Sequence, residues 1–246
     1  MAQFTKDEDF KNIHEKPTDI GFDGKGEMAE FATPDGNTGK AYSLKTTTPS
    51  NKYLFVIHEW WELNDQVKQE AERLFGKLEN VNVMALDLYD GNVTDDPEKA
   101  GSFMKAIKQE RCEAIINGAL AVAGKNAKVA TVGWCFGGGW SLRSSILAGE
   151  QGAGCIMYYG MPVERADKIA PLKADVLGIF AEHDGWINRK VITPFEGLAK
   201  ATGKNLDVHW FDAEHAFANP SSPRYNEAAA QEANGLALEF LKEKLK

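Results

Sequence analysis

The sequence predicts an α/β domain with a mostly parallel central sheet flanked by helices on both faces, and three observations predict it. Short runs rich in β-branched and aromatic residues recur along the chain. Several are apolar on both faces, as strands covered from two sides are. Helical patterns separate them, and that alternation is the signature of crossover connections between parallel strands. No internal repeat, low-complexity tract or Pro/Gly/Ser linker divides the 246 residues. One domain is therefore expected over 1–246, with about the first 25 residues as a polar N-terminal extension.

The elements read as follows. Residues 27–33 and 40–46 flank the turn-forming cluster Pro34-Asp35-Gly36-Asn37 and resemble an antiparallel hairpin or edge pair. Strands are expected at 52–58 (KYLFVIH), 81–88 (VNVMALDL), 128–134 (KVATVGW), 153–160 (AGCIMYYG), 175–182 (DVLGIFAE) and 206–212 (LDVHWFD). Residues 64–79 place Val67, Ala71, Leu74, Phe75 and Leu78 on one helical stripe, with Asn64 or Asp65 as cap. In the last segment Ser222 caps, Pro223 suits the first turn, and Ala229, Ala233, Leu236, Ala237, Phe240 and Leu241 form the apolar face. In open sheets of this kind, chemistry gathers at the carboxyl ends of the strands.

Composition narrows the function classes. Twenty-eight Lys and Arg against 36 Asp and Glu give a net charge of −8, which disfavours phosphate backbones and anionic membranes; nucleic acid and membrane partners are not expected. The N-terminus alternates charges and lacks the apolar stretch of an export signal, and nowhere is there an apolar run long enough to span a bilayer. A cytoplasmic, monomeric protein is the expectation, with export through a removed signal left open. Cys112, Cys135 and Cys155 leave at least one thiol unpaired, and their spacing fits neither a CxxC pair nor a zinc cluster.

One motif carries chemistry. Gly133-Trp134-Cys135-Phe136-Gly137, followed by Gly138 and Gly139, sits where a strand meets a helix. It is G-x-C-x-G, the nucleophile elbow with sulfur in place of oxygen. Glycines are needed on both sides because the turn is sharp and neighbouring backbone comes close. A cysteine at a helix N-terminus is favoured as thiolate by unpaired N–H groups and the helix dipole. A phosphate loop fits worse: G-x-G-x-x-G would need glycine where Leu142 stands. The elbow predicts an acid and then a histidine at later strand ends. Asp184 and His215 meet that order, 49 residues after Cys135 and 31 after Asp184. His183 and His209 are the competing histidines, and each triad candidate also has a plain structural reading as a buried thiol, a turn aspartate or a loop histidine.

With these residues in place the sequence resembles the dienelactone hydrolases of the α/β-hydrolase superfamily over roughly residues 25–246. The resemblance rests on Val56-Ile57-His58-Glu59-Trp60-Trp61, Asp87-Leu88-Tyr89, the cysteine elbow, the Asp184 loop and His215-Ala216-Phe217. It implies an α/β-hydrolase fold, Cys135 as nucleophile, His215 as general base and then acid, and Asp184 as the group that orients the imidazole. It further implies that Glu59 approaches the resting cysteine and takes part in switching it between thiol and thiolate, and that Trp60 N–H joins Phe136 N–H in an oxyanion hole. A small ester or lactone is the implied substrate, with no cofactor and no metal. His58-Glu59-Trp60-Trp61-Glu62 lacks the second histidine of H-E-x-x-H. Tyr89, Trp186 and Arg224 are the candidate substrate-binding residues. Where the characterised lactone hydrolases resemble one another in carrying arginine, this chain has Asn219. Acyl transfer, or a non-catalytic relative that binds a small molecule or senses oxidation through the same cleft, uses the same residues.

Overall fold

A computed structural model describes residues 4, 7–12, 20–92, 94 and 96–246. Its strands are β1 (Glu27–Ala32), β2 (Thr38–Leu44), β3 (Lys52–Ile57), β4 (Asn82–Leu86), β5 (Lys128–Trp134), β6 (Gly152–Tyr158), β7 (Asp175–Ala181) and β8 (Leu206–Phe211). They form one sheet in the order β1-β2-β4-β3-β5-β6-β7-β8. The β1–β2 and β2–β4 pairs are antiparallel and the rest parallel. The expected hairpin is thus an antiparallel edge on a parallel sheet.

Both faces of the sheet are covered. Leu54, Phe55, Val56 and Ile57 of β3 and all of β4 are buried, which explains why these strands read as continuous apolar runs. Along β5 and β6 the side chains alternate between two helices. Thr131 and Cys155 face α5 (Phe136–Ala148), where Thr131 Oγ1 lies 2.8 Å from Ser141 Oγ. Tyr158 faces α8 (Glu227–Lys244), and its hydroxyl donates to Asn234 Oδ1 at 2.9 Å. Each large apolar side chain sealed between such layers stabilises by about 1.5–3 kcal/mol.

The remaining helices are α1 (Glu8–Asn12), α2 (Asp65–Lys77), α3 (Pro97–Ala106), α4 (Gln109–Ala123), α6 (Ala166–Ile169) and α7 (Arg189–Ala201). Asn64 caps α2, accepting from Val67 N–H at 3.1 Å. The final helix starts later than Ser222 and Pro223 suggest. Asn226 is its cap and accepts from Ala229 N–H at 3.1 Å, while Asn226 N–H is held by Phe217 O at 3.0 Å. That bond keeps the chain extended, so Ser222 instead closes a turn with Tyr225.

The connections create the site. From β3 the chain crosses to β4 on one side and later returns to β5 on the other, so a crevice opens between the carboxyl ends of β3 and β5. Glu59 lies just beyond the first and Cys135 just beyond the second. Among the described residues no helix is long and apolar enough to cross a membrane.

Candidate active site

Cys135 links β5 to α5 with φ 53° and ψ −112°, a conformation that L-residues adopt only under constraint. Close backbone packing supplies the constraint. A Cβ on Gly133 would overlap the Gly137 carbonyl, and one on Gly137 would overlap the carbonyls of Ile57 and His58. Gly133 therefore lets α5 fold back closely on β5, and Gly137 lets it press directly on the end of β3.

Asp184 lies three residues beyond β7 and His215 four beyond β8. Both are buried, and Asp184 Oδ2 is 2.6 Å from His215 Nδ1. The other carboxylate oxygen accepts from the N–H groups of Trp186 and Ile187, both at 2.8 Å. Burial alone would raise the Asp184 carboxyl, but the interaction with His215 and the two N–H donors outweigh it, so it stays below the ordinary range. An ionised carboxylate only accepts, which puts the imidazole proton on Nδ1 and leaves Nε2 as an acceptor. His215 Nε2 is buried without a hydrogen-bond partner. His183, exposed and paired with Asp212 at 2.6 Å, and His209, paired with Asp207 at 3.0 Å, lie outside this arrangement.

The protonation expected of Cys135 is reversed. Burial pushes its thiol well above the ordinary value, and the nearby Glu59 carboxylate adds to the shift; the Phe136 N–H opposes without prevailing. The helix N-terminus is present, but a fully buried sulfur beside a carboxyl rests as a thiol. Glu59 is raised as well, from the ordinary 4.5 to about 7, because its carboxyl is desolvated. Asn219 Nδ2 donates to Glu59 Oε1, and the buried Oε2 has no partner. His58, buried behind it, accepts from Leu88 N–H at Nε2 (3.2 Å), so its Nδ1 donates to Glu59 O (3.2 Å) and fixes the backbone of this strand end.

Glu59 lines a cavity of about 330 Å³ with Trp61, Gln66, Trp134, Asn219 and Asn234. Of the other expected site residues, Trp60 is wholly buried and Phe136 nearly so. Tyr89 is buried too: it packs on His58 and Phe136, and its hydroxyl donates to Trp60 O at 3.3 Å. Trp186 sets its ring edge-on to His215, with centroids 5.6 Å apart, and the Arg224 guanidinium lies 5.5 Å from the Trp186 ring while pairing with Glu214.

Two neighbours escaped the sequence reading. Tyr159 stands 5.0 Å from His215, ring to ring, and Phe10 stands 5.6 Å from it. The first was visible only as one of a tyrosine pair, the second only as a lone aromatic in a charged stretch. Among the described residues no group of three or more His, Cys, Asp or Glu side chains is placed to hold a metal ion.

The model of the dienelactone hydrolase family matches residues 40–245. The chain is 26% identical over 226 residues to carboxymethylenebutenolidase 1 of Cupriavidus pinatubonensis, covering 86% of this chain and 94% of that one. It is 27% identical over 236 residues to protein usf of Aquifex pyrophilus, covering 89% and 99%. Among solved structures, a dienelactone hydrolase from Anabaena variabilis superposes with a TM-score of 0.64 at 17% identity, over 92% of this chain and 100% of that one. A dienelactone hydrolase-like promiscuous phosphotriesterase from metagenomic libraries gives 0.76 at 18% identity, over 91% and 100%. These two structures share the fold: an α/β sheet flanked by helices, here eight-stranded. With the family model spanning from within β2 to the end of α8, the chain belongs to the dienelactone hydrolase family and is a hydrolase.

Proposed function

We propose that the chain hydrolyses small esters or lactones through an acyl-cysteine intermediate, with Cys135, His215 and Asp184 as the triad. The observation that carries this is the buried Asp184–His215 pair, at 2.6 Å, on the same sheet edge as the strained cysteine elbow. In this scheme the resting thiol passes its proton to Glu59, whose pKa near 7 suits it to accept one when substrate arrives. The thiolate attacks the carbonyl carbon, and the N–H groups of Phe136 and Trp60 receive the oxyanion, each worth about 3 kcal/mol of barrier. Collapse breaks the C–O bond and the leaving oxygen takes the proton held by Glu59; His215 Nε2 then takes a proton from the water that attacks the thioester and gives it to the departing sulfur as the C–S bond breaks. The acid departs and Cys135 is regenerated.

The cavity beside Glu59 argues for an uncharged substrate. Its walls are aromatic and amide-bearing, and Arg73, the cation among the described lining residues, is held bidentately by Glu70 at 2.6 and 2.7 Å. A substrate carboxylate there would face Glu59 and find Asn219 in place of a positive charge. The raised pKa and burial of Cys135 oppose the oxidation-sensing alternative, which needs an accessible thiolate. Intact mass after exposure to esters and lactones tests the reading. An acyl adduct localised to Cys135 is expected, with Cys135→Ala inactive and Cys112→Ala and Cys155→Ala active; full activity in Cys135→Ala would refute it.

A further inference from the structure

Helix α1 is five residues long, too short to persist by its own hydrogen bonds, yet Phe10 on it is completely buried. The ring lies 5.7 Å from Trp60, 5.0 Å from Trp186 and 5.6 Å from His215, meeting both tryptophans edge-on. Polar ties fix the segment on two sides. Asp7 Oδ1 accepts from the N–H groups of Asp9 and Phe10 at 2.9 and 3.2 Å, and Oδ2 accepts from Trp186 Nε1 at 2.9 Å. Lys11 reaches across to Glu98 on α3 at 2.8 Å. The segment is thus strapped between the Asp184 loop and α3, and its one aromatic side chain is delivered onto the imidazole. It precedes the stretch that the family model matches, which begins at residue 40.

We propose that Phe10 is a specificity-determining residue: its ring occupies the space against His215 and so limits the length of acyl group the site accepts. This rests on the hydrolase reading above. The cavity beside Glu59 presents amides and is not lined by Phe10, whose ring instead fills the space between Trp60, Trp186 and the imidazole. Shortening Phe10 to alanine leaves an apolar space against the imidazole, and dry apolar cavities of this kind take up apolar guests. Each methylene moved from water into such a space is worth about fourfold in binding, so two to four methylenes carry on the order of tenfold to a few hundredfold.

The test is the ratio of kcat/KM for 4-nitrophenyl hexanoate to that for 4-nitrophenyl acetate, in the parent chain and in Phe10→Ala, Phe10→Leu and Phe10→Trp. Within one preparation the ratio is independent of the folded fraction, so partial misfolding of a variant does not mask the result. Phe10→Ala should raise the ratio roughly tenfold or more, Phe10→Leu less, and Phe10→Trp should lower it. A purely structural Phe10 would lower both rates together and leave the ratio unchanged, which overturns the assignment. Intact mass of the parent chain with each ester separates the two levels. Acyl-Cys135 with an unchanged ratio removes only the Phe10 proposal, whereas no acylation by either ester removes the hydrolase reading and this proposal with it.

Discussion

Replacing Glu59 by glutamine keeps the shape and the acceptor for Asn219 but removes the titration of a desolvated carboxyl. In the folded chain Glu59 holds its proton up to about pH 7, against an ordinary 4.5. The folded state therefore binds more protons than the unfolded state between those limits. The sign follows: stability from this group is complete at low pH and is lost as pH rises, with nothing further lost above about 7. A tenfold change in proton affinity is worth about 1.4 kcal/mol, so the full loss is on the order of 3 kcal/mol and that between about pH 5 and pH 8.5 roughly 2.5 kcal/mol. Urea unfolding of the parent chain and Glu59→Gln at a series of pH values reads it directly. Contributions common to both chains cancel in the difference. The parent should lose stability relative to the variant as pH rises, most steeply from about 5 to 7. A difference that stays flat, or grows in the parent's favour, would refute the argument that a buried, proton-holding Glu59 sits beside the thiol.

Two further outcomes follow from the same geometry. Asp184→Asn should lower kcat on the order of 10⁴-fold while leaving the fold intact, because the amide favours the wrong imidazole tautomer; stopped-flow turnover of an activated ester, with circular dichroism as control, checks it. Asn219→Arg should pull the Glu59 pKa down from about 7 and shift preference toward a carboxylate-bearing ester over its neutral counterpart. About tenfold in relative kcat/KM is expected, measured as competing substrates in one reaction, since a charge-assisted bond contributes about 1.5–3 kcal/mol.

How much of this was legible in the sequence depends on the range of the forces involved. The strands announced themselves because burial on two faces leaves runs such as Leu54–Phe55–Val56–Ile57 with no polar interruption. The elbow and the Asp184–His215 pair were legible because strand-end chemistry imposes both composition and order. The start of the last helix was misplaced because Ser222 and Pro223 serve a turn equally well, and only the distant Phe217 carbonyl decides between the two. The protonation of Cys135 was misread for the same reason: helix position is local, whereas burial and the approach of Glu59 are products of the whole sheet. Phe10 had no periodicity to betray it, since one aromatic residue in a charged segment forms no stripe.

The order of strands across the sheet has a consequence for biosynthesis. The crevice between β3 and β5 holds Glu59 and the thiol, but the imidazole arrives on the loop after β8, the outermost strand, 80 positions later than Cys135. At translation rates of about 5–20 residues per second, that interval is on the order of 4–16 s. Throughout it the emerging chain carries its sulfur without the histidine that the proposed triad requires. A product cut short between β8 and His215 has every strand of the sheet and, in the proposed scheme, no proton acceptor for the second half of a turnover. In the proposed scheme, hydrolytic competence therefore waits for the loop after β8 to be synthesised.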